Sequence, residues 1–181
     1  MPSLVSLSLN RPSIDEASLG ALLAHAPRLS ALSLGRQQDV QSTLIASSSF
    51  LQLKALSIPL LSLPLLLNPG VRLALLALRL TDGSSTHHCS DEVYCDLLSL
   101  PFLTLDGLHS SLRKLVVPSP AERDFFAERA VLSLRSQATA RSIDIVEEQM
   151  GSYGMWRDLV EWVETERVTV AERAVEIGLA L

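Results

Sequence analysis

The strongest constellation for chemistry in this chain is His87-His88-Cys89, followed by Asp91, Glu92 and Cys95. Zinc takes imidazoles and thiolates in tetrahedral sets, normally from paired C-x₂₋₄-C or H-x₃₋₅-H spacings. The spacing here is wrong for that. Adjacent histidines rarely serve one ion, and five residues separate Cys89 from Cys95. The segment therefore reads as a polar loop leading into a helix whose Cys95 faces the core, as buried cysteines commonly do. No metal and no cofactor is assigned. His25, at a helix end before Pro27, and His109, near Gly107, read as surface or capping residues rather than general bases. No Gly-x-Ser-x-Gly elbow, Walker phosphate loop or dinucleotide glycine fingerprint occurs. Gly151-Ser152-Tyr153-Gly154 is a turn. These residues point away from an enzyme.

The elements that would position them come from a repeat. Six phrases of the form Leu-x-x-Leu-x-(Leu/Ile/Val) recur: Leu4/Leu7/Leu9, Leu29/Leu32/Leu34, Leu53/Leu56/Ile58, Leu75/Leu78/Leu80, Leu100/Leu103/Leu105 and Leu112/Leu115/Val117. Their first leucines are 25, 24, 22 and 25 residues apart, then 12. The longer steps match the roughly 20–29 residue period of leucine-rich repeats. The short step means either that one of the last two phrases is not a strand or that a short extra segment is inserted. Leu112–Val117 is preferred, because Val116 and Val117 are β-branched and Pro118 ends the run. A further strand is expected at Ser142–Val146, where Ile143 and Ile145 alternate with Ser142 and Asp144.

Within a strand, alternate residues face opposite sides. The leucines go inward and the serines and alanines outward. Between strands lie helical stretches: Ile14–Ala26, stopped by Pro27; Gln41–Phe50; a proline-broken Leu60–Leu67; and about Asp91–Leu100 after the polar insert Thr81–Ser90. Ser119-Pro120-Ala121-Glu122 combines an N-cap serine, proline at the first helical position and glutamate three residues on. That helix should run to about Arg135 and bury part of Phe125, Phe126, Ala130, Leu132 and Leu134. From Met155 an apolar stripe of Trp156, Leu159, Val160 and Val163 opposes an acidic side. It suits a helix closing the open end of a stack. Trp162, off that stripe, is read as packing against a neighbouring loop, or else as a partner anchor. The expected fold is α/β: a leucine-rich-repeat-like βα solenoid over residues 1–149 with a parallel sheet, and an acidic helical cap over 150–181 of the same domain. The first repeat begins at Leu4 without a cap, so residues upstream of Met1 are expected.

With its phrases laid out, the chain resembles irregular leucine-rich-repeat proteins of the fungal F-box type. Ala26-Pro27-Arg28-Leu29-Ser30-Ala31-Leu32-Ser33-Leu34 is the most typical junction. The resemblance covers about residues 4–146. Two departures matter. The regular family has an asparagine five residues beyond the middle leucine, where this chain has Pro12, Gln37, Leu61, Gly83, Leu108 and Pro120. No F-box precedes the repeats. The resemblance implies that a longer parent protein would select substrates for a ubiquitin ligase, with a Skp-type adaptor as partner only if an upstream F-box exists.

Composition sets the outer bounds. Across 181 residues, 48% are hydrophobic, 19% charged and 4% aromatic, which implies an aliphatic core and argues against disorder. The net charge of −5 argues against a nucleic-acid partner held through phosphates. Residues 144–181 alone carry −6, which reads as a solvated acidic surface, or more sharply as a docking face. Two cysteines make no disulfide framework. With no signal peptide expected, the location is intracellular, cytoplasmic or nuclear. Residues 55–80 are apolar but broken by Pro59, Pro64, Asn68, Pro69, Gly70 and Arg72, which suits two buried repeat layers better than a membrane span.

The resulting expectation is a non-catalytic protein-interaction module with a protein partner of unknown identity, and neither nucleic acid nor membrane. Its candidate contact residues lie on the outward strand positions: Ser8, Asn10, Ser33, Ser57, Arg79, Thr81, Lys114 and Asp144. That reading requires these positions to stay uncovered by a helix. The alternatives are a truncated or degenerate repeat remnant and, less well supported, membrane association through residues 55–80.

Overall fold

The computed structural model describes residues 4–9, 16–35, 52–66, 73–81, 95–97, 111–119, 125–148 and 155–176. Its elements are β1 (Ser6–Leu9), α1 (Glu16–Ala24), β2 (Ala31–Leu34), β3 (Ala55–Pro59), a 3₁₀ turn (Leu60–Ser62) running into α2 (Leu63–Leu66), β4 (Ala77–Thr81), β5 (Lys114–Pro118), α3 (Phe125–Thr139), β6 (Asp144–Glu148) and α4 (Met155–Glu176). The chain is α/β. The six strands form one sheet in the order β1-β2-β3-β4-β5-β6, every neighbouring pair parallel.

The register follows the phrases. Leu7 pairs with Leu32, Leu32 with Leu56, Leu56 with Leu78, Leu78 with Leu115, and Leu115 with Ile145. Each strand is entered through the same backbone contact to its predecessor. Ser30 N–H donates to Val5 O at 2.9 Å, Lys54 to Ser30 at 2.7 Å, Leu76 to Lys54 at 2.8 Å, Arg113 to Leu76 at 2.9 Å and Asp144 to Arg113 at 2.8 Å. The leucines stack in three rows. Leu29, Leu53, Leu75 and Leu112 form the first; Leu32, Leu56, Leu78 and Leu115 the second; Leu34, Ile58, Leu80 and Val117 the third; all are buried. On this face they meet Leu19 and Leu23 of α1, Leu63 and Leu66 of α2, and Ala130, Val131, Leu134 and Ala138 of α3. Burying one such leucine contributes about 1.5–3 kcal/mol.

Strand β5 is the Leu112–Val117 phrase, as preferred from its β-branching. Leu100–Leu105 lies outside the described residues, as does the Gln41–Phe50 stretch. The last strand sits two residues later than expected, at Asp144–Glu148. The cause is the end of α3. The helix runs on to Thr139 and closes with Ser142 N–H on Thr139 O at 3.2 Å and Ile143 N–H on Ala138 O at 2.9 Å. Ser142 takes φ 58°, the left-handed conformation of a Schellman-type stop, and so belongs to the turn. On α3, Ala130 and Leu134 are buried as expected, but Leu132 is 65% exposed and Val131 and Ala138 face the core instead. Residues 55–80 include two strands, a 3₁₀ turn and a short helix. Among the described residues no helix is long and apolar enough to cross a membrane.

Candidate functional site: the covered face of the sheet

The second face of the sheet is built from the residues between the leucines. In register, its first row is Ser6, Ala31, Ala55, Ala77, Lys114 and Asp144; its second is Ser8, Ser33, Ser57, Arg79, Val116 and Val146. Ala31, Ala55 and Ala77 thus form a track of methyl groups across three adjacent strands. A helix can approach such a track closely, because nothing larger than Cβ projects from it. Helix α4 does so. Leu159 and Val163, one helical turn apart, are buried against the three alanines and Val116. Met155, Trp156, Val160 and Trp162 pack around them, half-buried. Trp162 and Glu164 lie roughly 200° apart around the helix. They reach opposite flanks of the track. Lys114 Nζ of β5 sits 4.5 Å from the centroid of the Trp162 ring. The Ser30 hydroxyl, just before β2, donates to Glu164 Oε1 at 3.0 Å.

Beyond the track the face turns polar. Arg79 of β4 reaches across β5 to Glu148 of β6. Its Nε donates to Oε2 at 2.7 Å and its Nη2 to Oε1 at 2.5 Å. The side chains are 14% and 8% exposed, so this is a bidentate pair largely withdrawn from water. Ser57, beside Arg79 in register, is fully buried, and its hydroxyl has no hydrogen-bond partner among the described residues. Thr81 is half-buried and donates to the Ile58 carbonyl at 3.3 Å.

The expectation of an open outward face is therefore corrected. Ser33 and Ser57 are buried, Arg79 is committed to Glu148, and Lys114 lies against Trp162 with Asp144 Oδ2 at 3.9 Å. Ser8 is exposed, and so is Asp144, at 64%. Asn10 lies outside the described residues. The physical reason is the small size of the alanines and serines. They read as solvent-facing because they carry little apolar surface, yet in register they make a bed for the Leu159/Val163 stripe. That stripe, expected at the open end of the stack, packs on the sheet face instead. The pairing of Arg79 with Glu148 also escaped the sequence reading. Its only signal is an opposite charge two strands away at the end of a strand.

Of the metal-ligating constellation, only Cys95 lies within the described residues, half-buried against the leucine core. No group of three or more such ligands occurs among the described residues. His25 is exposed at the end of α1, its Nδ1 2.7 Å from Ala21 O, as suits a capping role. Compared with family models, curated proteins and solved structures, the chain finds no match in any of the three.

Proposed function

We propose that this chain is a non-catalytic protein-interaction module, a short leucine-rich-repeat-like solenoid that binds a protein partner inside the cell. The observation that carries the reading is the recurrence of one strand entry five times, with three leucine rows in register behind it. Units that each contact only their neighbours are the principle of solenoid proteins, whose extended surfaces serve as docking faces. With α4 in place, the accessible candidates are Ser8 and Asp144, joined by the half-buried Thr81 and Lys114. They would contact a partner from around the helix rather than from the floor beneath it. The resemblance to F-box proteins extends the proposal to substrate selection within a longer parent protein.

Affinity capture with the purified full chain tests this reading, followed by calorimetry with each recovered protein. The expected outcome is a saturable complex that Asp144→Lys weakens at least tenfold. A chain that purifies only as aggregates would contradict the proposal and favour the repeat-remnant alternative. So would capture of partners whose affinity ignores every accessible position.

A further inference from the structure

We infer that the alanine track is a receptor groove for an amphipathic helix, and that α4 is its exchangeable resident. The inference rests on the binding-module reading and names the kind of partner. It is a helix with aliphatic residues at i and i+4 and a carboxylate at i+5, the pattern set by Leu159, Val163 and Glu164.

Three observations carry it. First, the two faces of the sheet are unequal. Among the described residues, twenty-four buried residues make the leucine core, and six make the second cluster, four on the sheet and two on α4. Second, lifting α4 uncovers on the sheet only the three alanine methyls with Val116 and the already half-buried Leu76 and Val146, among the described residues, while the leucine rows stay sealed by α1, α2 and α3. The helix itself would then present a continuous apolar stripe. Third, among the described residues the most buried ion pair has both of its partners on the sheet. Arg79 is neutralised by Glu148, so opening leaves neither of these ions orphaned. The polar ties described between helix and sheet are the Ser30–Glu164 hydrogen bond and the Lys114–Trp162 contact. Such a seat needs little intrinsic affinity, because a tethered helix competes at an effective concentration in the millimolar range. A free helix of the same pattern is thereby kept out until α4 leaves.

The test uses the full chain and a fluorescent peptide of residues 150–181. In the variant Leu159→Asp/Val163→Asp, the resident stripe is spoiled and the groove opened. The labelled peptide should bind this variant at least tenfold more tightly than the unmodified chain, and a peptide carrying the same two substitutions should not bind. Equal affinity for both chains, binding of the substituted peptide, or no binding to a variant whose circular dichroism is intact would overturn the inference. Should the variant fail to fold, hydrogen exchange on the unmodified chain decides. Amides of α4 exchanging at least tenfold faster than those of β3 support an exchangeable helix, and equal protection overturns it. Neither arm involves a captured partner, so failure here is distinguishable from failure of the binding-module reading.

Discussion

At the residue scale, the Arg79–Glu148 pair makes the sharpest prediction. A bidentate pair withdrawn from water gains from geometry but carries a desolvation penalty on both ions. Removing one partner leaves the other uncompensated. Arg79→Met should therefore cost about 3–5 kcal/mol in urea unfolding, whereas Arg79→Met/Glu148→Leu should recover most of that loss. A double variant as unstable as the single one would mean that the pair is needed for more than mutual neutralisation. Ser57 makes the opposite prediction. Its buried hydroxyl has no partner among the described residues, so Ser57→Ala should be neutral or stabilising by up to about 1 kcal/mol. A loss of stability would indicate a hydrogen bond to that hydroxyl. Single residues were the least legible part of the sequence. Arg79 and Glu148 are 69 positions apart, and nothing local marks them as a pair. Ser57 looked like any other outward serine.

At the element scale, the strands were legible because the leucine phrase sets both their spacing and their inward face. The β-branched Val116-Val117 before Pro118 marked the strand Lys114–Pro118. The helix ends were less legible. The stop of α3 depends on Ser142 adopting a left-handed conformation, which a serine does not announce. Glycine carries no Cβ penalty there. Ser142→Gly should raise stability by about 0.5–1 kcal/mol, read as a higher urea midpoint at unchanged slope. Unchanged or reduced stability would mean that the turn is not strained by its side chain. The stripe of α4 was legible too, but not its destination. An alternation of leucine with serine or alanine fits an open face and a helix-covered face equally well. Only the coincidence of Ala31, Ala55 and Ala77 at the same position of three consecutive phrases distinguishes them.

At the scale of the whole molecule, the leucine face holds the fold together and the alanine face receives α4. Truncation on the two faces should differ accordingly. Leu56→Ala removes a fully buried side chain from the middle leucine row and should cost about 3–5 kcal/mol. Lys114→Ala loses a cation–π contact at the edge of the α4 seat and should cost about 0.5–1 kcal/mol. Comparable losses from both would contradict the division of labour between the faces. The order of the sheet follows from the repeat, since consecutive units can cover one another's leucines only by stacking in sequence. What the repeat does not determine is whether the remaining face stays open.

The seating of α4 on the alanine face is therefore tested by a methyl-resolved nuclear Overhauser measurement on the full chain, with alanine, leucine and valine methyls labelled. Cross-peaks are expected from the Leu159 and Val163 methyls to those of Ala31, Ala55 and Ala77. Their absence, with the alanine methyls responding to a soluble paramagnetic probe as exposed groups do, would show the face to be open and would contradict the seating of α4.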